Sequence, residues 1–292
     1  MSDGSRHDFS CETEWGDAED LDCRGFCRDC GREHRLSAAP ALPAAGLLMR
    51  ELVRHGNIGL EQGRDPRLDL GCLDGPAGGQ MFGVLVYRDR GGNRGVLKAF
   101  SGQYNGIWNV PGWAPPIVDP EEFASVVRDD ETRIKELTRG MKSLPAGDPV
   151  LMELAARRNS ISRELMARIF TLYRPANFRG QRRRLEEIFI GRGMPTGTGE
   201  CCAPKLLHHA ACLGLRPLGL AEFYLGRRNR SGTRRSGRFY APCAGKCRPI
   251  LGFFLCGLEE TACPMRSSPA VCRLRYVDIT TQIGRASCRE RV

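Results

Sequence analysis

The sequence predicts an α+β fold, with a mixed sheet, flanking helices and an inserted basic helical hairpin. Apolar, β-branched runs at 81–87 and 95–100 flank a glycine-rich turn, which is typical of a β-hairpin. Two long segments each open with aspartate and proline and then carry apolar residues at helical spacing. A thiol-bearing helix start, a strand and a second thiol-bearing helix start follow between 193 and 260. Strands and helices therefore share one core.

Each element has its own local signal. Leu47, Leu48 and Leu52 predict an amphipathic helix that ends at Gly56. Asp119 and Asp148 are the expected N-caps of the two hairpin helices. A strand is expected over 218–225. The aromatic stretch 103–116 leaves two interpretations open, stacking faces for unpaired bases or a buried flap.

These signals divide the chain into six parts. They are a Cys-rich head (1–36), the helix and β-hairpin part of the α/β core (37–118), a helical hairpin insertion (119–192), the remainder of the core (193–260), an expected linker to a missing catalytic domain (261–282) and an expected adaptor artefact (283–292).

The last ten residues resemble the translation of a common sequencing adaptor. We therefore expect the natural sequence to continue beyond Gln282, and we exclude the tail from fold reasoning. The tail holds three arginines and one glutamate, so a formal net charge of +10 for the chain becomes +8 without it. The basic character does not depend on the tail.

The positive charge predicts a polyanionic partner such as RNA, because arginine binds phosphate through paired hydrogen bonds. A solvated basic surface is the alternative. No run of ~18 apolar residues is present, so the sequence predicts no membrane association and a cytoplasmic location. The arginines expected to contact RNA are Arg182, Arg183, Arg184, Arg227, Arg228, Arg230, Arg234 and Arg235.

Fourteen cysteines in a chain of this class favour thiols or metal ligands over disulfides. Cys27 and Cys30 have the two-residue spacing of a zinc knuckle, which supplies half of a tetrahedral site. The other half must come from Cys11, Cys23, His34 or elsewhere. Zinc and unligated thiols are equally compatible with this pattern.

A second set of thiols lies at two helix starts. Cys201 and Cys202 precede one helix, and Cys243 and Cys247 precede the next. Backbone amides at a helix start stabilise thiolates, the form that binds metal. Buried unligated thiols are the alternative. His208 and His209 are adjacent, so their rings are expected to face different directions on a helix.

Several segments carry a family resemblance. Residues 199–207, 221–224 and 239–251, together with 81–86 and 99–102, resemble the N-terminal extension of certain RluA-type RNA pseudouridine synthases. The resemblance covers roughly residues 20–260 and implies isomerisation of uridine in rRNA or tRNA without a cofactor. It also implies that the catalytic aspartate lies in a later His-Arg-Leu-Asp motif, so this chain alone is expected to be inactive.

A second resemblance suggests a different class. The order hairpin, thiol-bearing helix start, strand and second thiol pair is similar to that of zinc deaminases acting on nucleic acids or nucleotides. Ala203 and Pro204 stand where the family's acid-base glutamate would follow the first ligand, and three residues rather than two separate the later cysteines. Deamination is therefore the alternative function, and a non-catalytic interaction module is a third.

Overall fold

The computed structural model describes residues 18–61, 63–75 and 78–259. In these ranges the chain forms six α-helices and two sheets, which confirms the α+β class. The strands are β1 (Cys23–Cys27), β2 (Arg32–Leu36), β3 (Gln80–Arg88), β4 (Arg94–Phe100), β5 (Arg216–Leu225) and β6 (Arg238–Tyr240). The helices are α1 (Leu42–His55), α2 (Pro120–Ser143), α3 (Pro149–Leu172), α4 (Leu185–Ile188), α5 (Cys202–Cys212) and α6 (Arg248–Leu255).

The larger sheet has the strand order β4-β3-β5-β6. The expected hairpin is confirmed, with Phe82 of β3 opposite Phe100 of β4 and Phe223 of β5. We expected strands of mixed direction, but every pairing among the described strands is antiparallel. The reason is that α5 returns the chain to the free edge of β3, where β5 runs back along it.

Successive side chains of β3 point to opposite faces of the sheet, so the core has two layers. Phe82, Val84 and Val86 pack under α1 with the aromatic stretch, whereas Leu85 faces α5 and α6. Gly83 also faces α5, where a Cβ would lie 2.6 Å from that of Cys202. The central strand is buried on both faces, because helices cover each side of the sheet.

The aromatic stretch 103–116 is a flap over the α1 side of the core. Tyr104 and Trp113 are buried against Phe82 and Phe100, with ring centroids 5.5 to 6.4 Å apart. The indole N–H of Trp113 donates to the Ile58 carbonyl at 2.9 Å. These two rings therefore serve packing rather than base stacking.

The predicted caps start the long helices. Asp119 accepts hydrogen bonds from the amides of Glu121 and Glu122, and Asp148 accepts one from Val150. α1 ends at Gly56, whose φ of 65° requires the left-handed region that glycine tolerates. α2 and α3 pack against each other as the expected hairpin, and Arg168 pairs with Asp130 across it.

The head contains a strand pair that sequence periodicity did not reveal. Buried residues alternate with more exposed ones along both strands, which are Phe26 and the half-buried Arg24 in β1 and charged residues in β2. Cys23, Cys27, His34 and Leu36 face inward. Cys11, the linker and the adaptor-like tail lie outside the described residues.

No helix in the described ranges is both long enough and apolar enough to span a bilayer.

Two candidate metal centres

The first centre joins the head to the last helix. Cys27 ends β1, Cys30 lies in the following turn, His34 is on β2, and Cys256 is the C-cap of α6. One ligand atom from each residue lies within 4.8 Å of all the others, and Cys30 Sγ is 3.0 Å from His34 Nε2. We call this set the Cys₃His centre. Four soft donors from two distant segments can enclose one metal ion.

The turn between β1 and β2 presents two of these thiols. The Gly31 amide donates to the Cys27 carbonyl at 2.9 Å, and Gly31 has a φ of 69°. A left-handed glycine closes the turn tightly, so the two sulfurs share one side. The turn thus brings together the two thiols that the sequence predicted as half of a zinc site.

Two glycines bring Cys256 to that turn. A Cβ on Gly252 would lie 2.0 Å from the carbonyl oxygen of Phe26, and one on Gly25 would lie 2.5 Å from the Gly252 amide nitrogen. Strand β1 and helix α6 therefore meet backbone to backbone, a separation that any side chain would prevent. This close approach sets the end of α6 over the knuckle.

The pKa values of Cys30 and Cys256 in the Cys₃His centre are shifted in opposite directions. Burial opposes ionisation of Cys30, yet hydrogen bonds from Arg32 and from the Cys256 and Cys27 thiols hold its pKa below the usual value. Burial raises the pKa of Cys256 to about 12. Cys30 is therefore the more acidic of these two thiols. Binding a cation would release their protons.

The second centre lies at two helix starts. Cys201 is the N-cap of α5, Cys247 is the N-cap of α6, and Cys243 opens the turn before α6. Their three sulfurs lie within 4.8 Å of one another, and Cys243 Sγ is 3.5 Å from Cys247 Sγ. We call this set the Cys₃ centre. It brings together three of the four thiols predicted from sequence in this region.

Thiol hydrogen bonds also focus negative charge in the Cys₃ centre. Hydrogen bonds with the Cys201 and Cys247 thiols lower the pKa of Cys243, whereas the same bonds raise the pKa of Cys201 and Cys247. The amides of Cys247 and Arg248 both donate to the Cys243 carbonyl, at 3.2 and 3.1 Å. The turn is therefore fixed before any ion is present.

Cys202 does not join the Cys₃ centre. It is fully buried, and its thiol donates to the Met81 carbonyl of β3 at 3.3 Å. Successive side chains on a helix point about 100° apart, so Cys201 and Cys202 cannot both face the same ion. Cys202 packs the helix onto the sheet instead.

A buried carboxyl lies behind the Cys₃ centre. Glu222 on β5 is 5% exposed, and its Oε1 accepts a 2.7 Å hydrogen bond from the Ala203 amide at the start of α5. Burial raises its pKa to about 7, partly offset by that hydrogen bond. Glu222 thus couples the strand to the helix that carries Cys201.

A buried lysine fixes the other side of α5. Lys205 is 1% exposed, and its Nζ donates to the carbonyls of Phe100 and Gly102 at 2.8 and 3.3 Å. The ammonium lies 4.5 Å from the centre of the Phe100 ring. Burial lowers the pKa of Lys205 to about 8. Its polar partners are backbone carbonyls, so it serves to position α5.

His208 and His209 are both partly buried on α5. His208 Nδ1 accepts from the Ala176 amide at 3.1 Å, and neither histidine belongs to a metal group in the described residues. Burial lowers the pKa of His208 to about 4. The ring therefore acts as a neutral acceptor.

The arginines predicted to contact RNA lie on two surfaces. Arg183 is 3.6 Å from Asp29, and Arg182 is 3.5 Å from Cys212 Sγ, whereas Arg184 is exposed at the start of α4. The second surface is the loop from Gly226 to Gly237, which carries Arg227, Arg228, Arg230, Arg234 and Arg235.

Sequence reasoning missed Cys256 as a ligand and left His34 as one of several choices. Cys256 stands alone at the end of an apolar helix, far along the chain from the knuckle. Its only local signal is a cysteine where that helix stops. The Cys₃ centre was easier to predict because all of its thiols lie at helix starts. No protein-family model, curated protein or solved structure matches this chain.

Proposed function

We propose that this chain is the zinc-binding, RNA-engaging accessory region of an RluA-type pseudouridine synthase. One observation carries the proposal. The segments whose sequences resemble that family, 199–207, 221–224 and 239–251, meet at the Cys₃ centre through Cys201, Glu222, Cys243 and Cys247. Residues spread along the chain in the family's order thus have a common structural purpose.

Zinc is the ion that suits both donor sets. Thiolate and imidazole are soft or borderline ligands, and zinc takes them in a tetrahedron. A Zn–S bond of about 2.3 Å places two ligating sulfurs roughly 3.8 Å apart. The 3.5 Å between Cys243 and Cys247 and the 4.8 Å limit on both sets are close to that value. Four ligands favour a structural role for the Cys₃His centre.

The loop from Gly226 to Gly237 supports the RNA part of the proposal. Asn229 orders it by donating to Ser231 and Thr233 and by accepting from the Arg234 amide. Arg234 stacks 4.2 Å from the Tyr240 ring. Within the part of the chain that the structure describes, its arginines form no ion pair with a carboxylate. An ordered, uncompensated basic loop suits a phosphate backbone.

The binding test uses the purified full chain. We expect about two zinc ions per chain by mass spectrometry of metals. Fluorescence anisotropy should show binding of single-stranded RNA that weakens steeply with salt. Negligible RNA affinity at low salt would contradict the RNA role and favour a protein-interaction module.

The proposed link to a pseudouridine synthase is tested by sequencing the coding DNA. Sequencing the natural DNA downstream of codon 282 should reveal a domain with a His-Arg-Leu-Asp motif. A stop codon at that point would remove the synthase proposal and leave the zinc and RNA results to be explained on their own.

The alternative is a zinc deaminase, and the element order is the observation that favours it. The hairpin β3–β4, the thiol at the start of α5, strand β5 and the thiols before α6 follow one another as in that class. Three thiol ligands also leave one tetrahedral position for another group, whereas Glu222 already bonds to an amide. Release of ammonia from cytidine, adenosine or single-stranded oligonucleotides, lost in Cys243→Ser, would support this alternative.

A further inference from the structure

A row of three arginines crosses the sheet at the end opposite the basic loop. Arg88 on β3 pairs with Arg94 on β4 and with Arg216 on β5. Residues paired across neighbouring strands point to the same face of a sheet. The three guanidinium groups therefore project from one face, on adjacent strands that lie about 4.8 Å apart.

This arrangement is unfavourable without an anion. Like charges directly opposite each other destabilise a sheet. Within the described ranges, none of the three arginines forms an ion pair, and the Nε of Arg88 is buried without a hydrogen-bond partner. Arg94 is exposed, and Arg88 and Arg216 are half-buried. The row thus has both excess charge and unused donors.

The neighbouring turn contains Asp89 and Arg90, whose charges sum to zero, so it does not neutralise the row. Arg90 is exposed beside Gly214, where a Cβ would lie 3.0 Å from its guanidinium. Asp89 is engaged inside its own turn, where it accepts from the amide and the side chain of Asn93 at 2.8 and 3.1 Å. Its carboxylate therefore does not reach across to neutralise the row.

We propose that the row of Arg94, Arg88 and Arg216 binds the phosphate backbone of RNA. This inference rests on the proposed function and gives it a second contact point. Strand β5 runs for ten residues from Arg216 to Leu225, where the basic loop begins. At about 3.3 Å per residue, the two basic surfaces are roughly 30 Å apart along the sheet. An extended strand of RNA is long enough to span that distance.

The test compares two double variants of the zinc-loaded full chain. Arg94→Gln with Arg216→Gln removes two charges from the row and retains Arg88, whose partial burial makes its loss harder to interpret. Arg139→Gln with Arg157→Gln removes two charges from exposed positions on α2 and α3. The probe is a fluorescein-labelled 20-nucleotide oligouridylate, measured by anisotropy between 50 and 200 mM salt.

We expect the row variant to bind about ten-fold more weakly at 50 mM salt. Its slope of log affinity against log salt should be shallower by about 1.4, at roughly 0.7 per phosphate contact. The control variant should match the wild type. Equal losses in both variants, or no loss in the row variant, would overturn the inference while leaving RNA binding intact.

Inorganic polyphosphate, which has no bases, separates this inference from the proposed function. Binding of polyphosphate but not RNA, with loss in the row variant, would show that the row binds phosphate, but would overturn RNA as its ligand together with the RNA function. If neither polyanion binds at 50 mM salt, both are wrong. The row variant should also unfold at the same or a slightly higher temperature, because like-charge repulsion is removed.

Discussion

The two candidate metal centres differ in which segments of the chain they connect. The Cys₃His centre joins segments from opposite ends of the described chain and offers four ligands, whereas the Cys₃ centre joins two neighbouring helix starts and offers three. They also share a helix, since Cys247 is the N-cap of α6 and Cys256 is its C-cap. The two candidate centres therefore differ both in the number of available ligands and in how far apart in sequence those ligands lie.

Helix α6 is short, and each of its ends carries a cysteine of one candidate centre. It has eight residues, and Ile250 through Leu255 are buried. An isolated helix of this length is unstable in water, so its structure depends on packing and on what fixes its ends. We therefore expect loss of either centre to destabilise α6, and loss of the Cys₃His centre to destabilise it more.

Cys256→Ser should produce the largest effect. It removes one of four ligands and the link between head and α6. We expect bound zinc to fall from about two ions to about one, and the free energy of unfolding to fall by more than about 5 kcal/mol. Metal analysis and urea unfolding measure the two quantities.

Cys72→Ser is the matched control for Cys256→Ser. Cys72 is partly buried outside both centres, with its thiol 3.9 Å from the Arg67 carbonyl. If Cys72→Ser and Cys256→Ser gave the same zinc content and stability, the Cys₃His centre would not bind metal.

Gly252→Ala tests the approach of α6 to β1 without touching a ligand. A methyl group there would collide with the Phe26 carbonyl, so we expect a loss of about 3 kcal/mol and weaker zinc retention at the Cys₃His centre. Gly245→Ala is the control, because a Cβ at Gly245 meets nothing within 4 Å. Similar stability of the two variants would show that α6 can move away from the head.

Cys243→Ser should reduce stability less than Cys256→Ser. Measuring both variants tests whether the two candidate centres differ in their contribution to folding. We expect loss of one zinc ion and about 2 kcal/mol of stability, because the Cys₃ centre joins elements that already pack together. Competition with a chromophoric chelator should also remove zinc from the Cys₃ centre first in the wild type. Equal destabilisation by the two variants would mean that both centres are structural.

The variant His208→Asn distinguishes two causes of lower stability in acid, protonation of His208 and loss of zinc. Burial holds the pKa of His208 at about 4, below the usual value of 6.5, so the unfolded chain binds the proton first as pH falls. The contribution of neutral His208 to the free energy of unfolding is fully present above pH 6.5. It is lost as pH falls from 6.5 to about 4. Between pH 6.5 and 5, the loss should be about 2 kcal/mol.

Asparagine can retain the acceptor for the Ala176 amide without titrating. The stability of His208→Asn should therefore depend less on pH than that of the wild type over the same range. Zinc release acts on both proteins and cancels in the difference. Parallel curves for the two proteins would assign the acid sensitivity to the metal centres alone.

Local signals in the sequence were sufficient for most helices and for the central hairpin. Asp119 and Asp148 fixed two helix starts, and Gly56 fixed one helix end. The β1–β2 pair was not predicted, because charged residues such as Arg32, Glu33 and Arg35 obscure a two-residue pattern of burial. Short strands of this kind depend on the helix they pack against.

Among the candidate ligands, those with a local sequence signal were predicted and those without one were missed. Cys201, Cys243 and Cys247 were predicted as ligands because each adjoins a helix start. Cys256 was not, because only the contact between Gly25 and Gly252 brings it to the knuckle. Such an approach between distant segments leaves no periodic signal in either one. The arginine row was missed for a similar reason, since strand register aligns residues that are separate in sequence.

The contact between β1 and α6 has a consequence for synthesis of the protein. The knuckle thiols leave the ribosome early, but Cys256 follows only after most of the chain has been made. Until then Cys27, Cys30 and His34 form an incomplete ligand set, and the inner face of their hairpin has no helix to cover it. The head can therefore reach its final form only late, and nascent chains that stop before α6 should be susceptible to thiol oxidation and proteolysis.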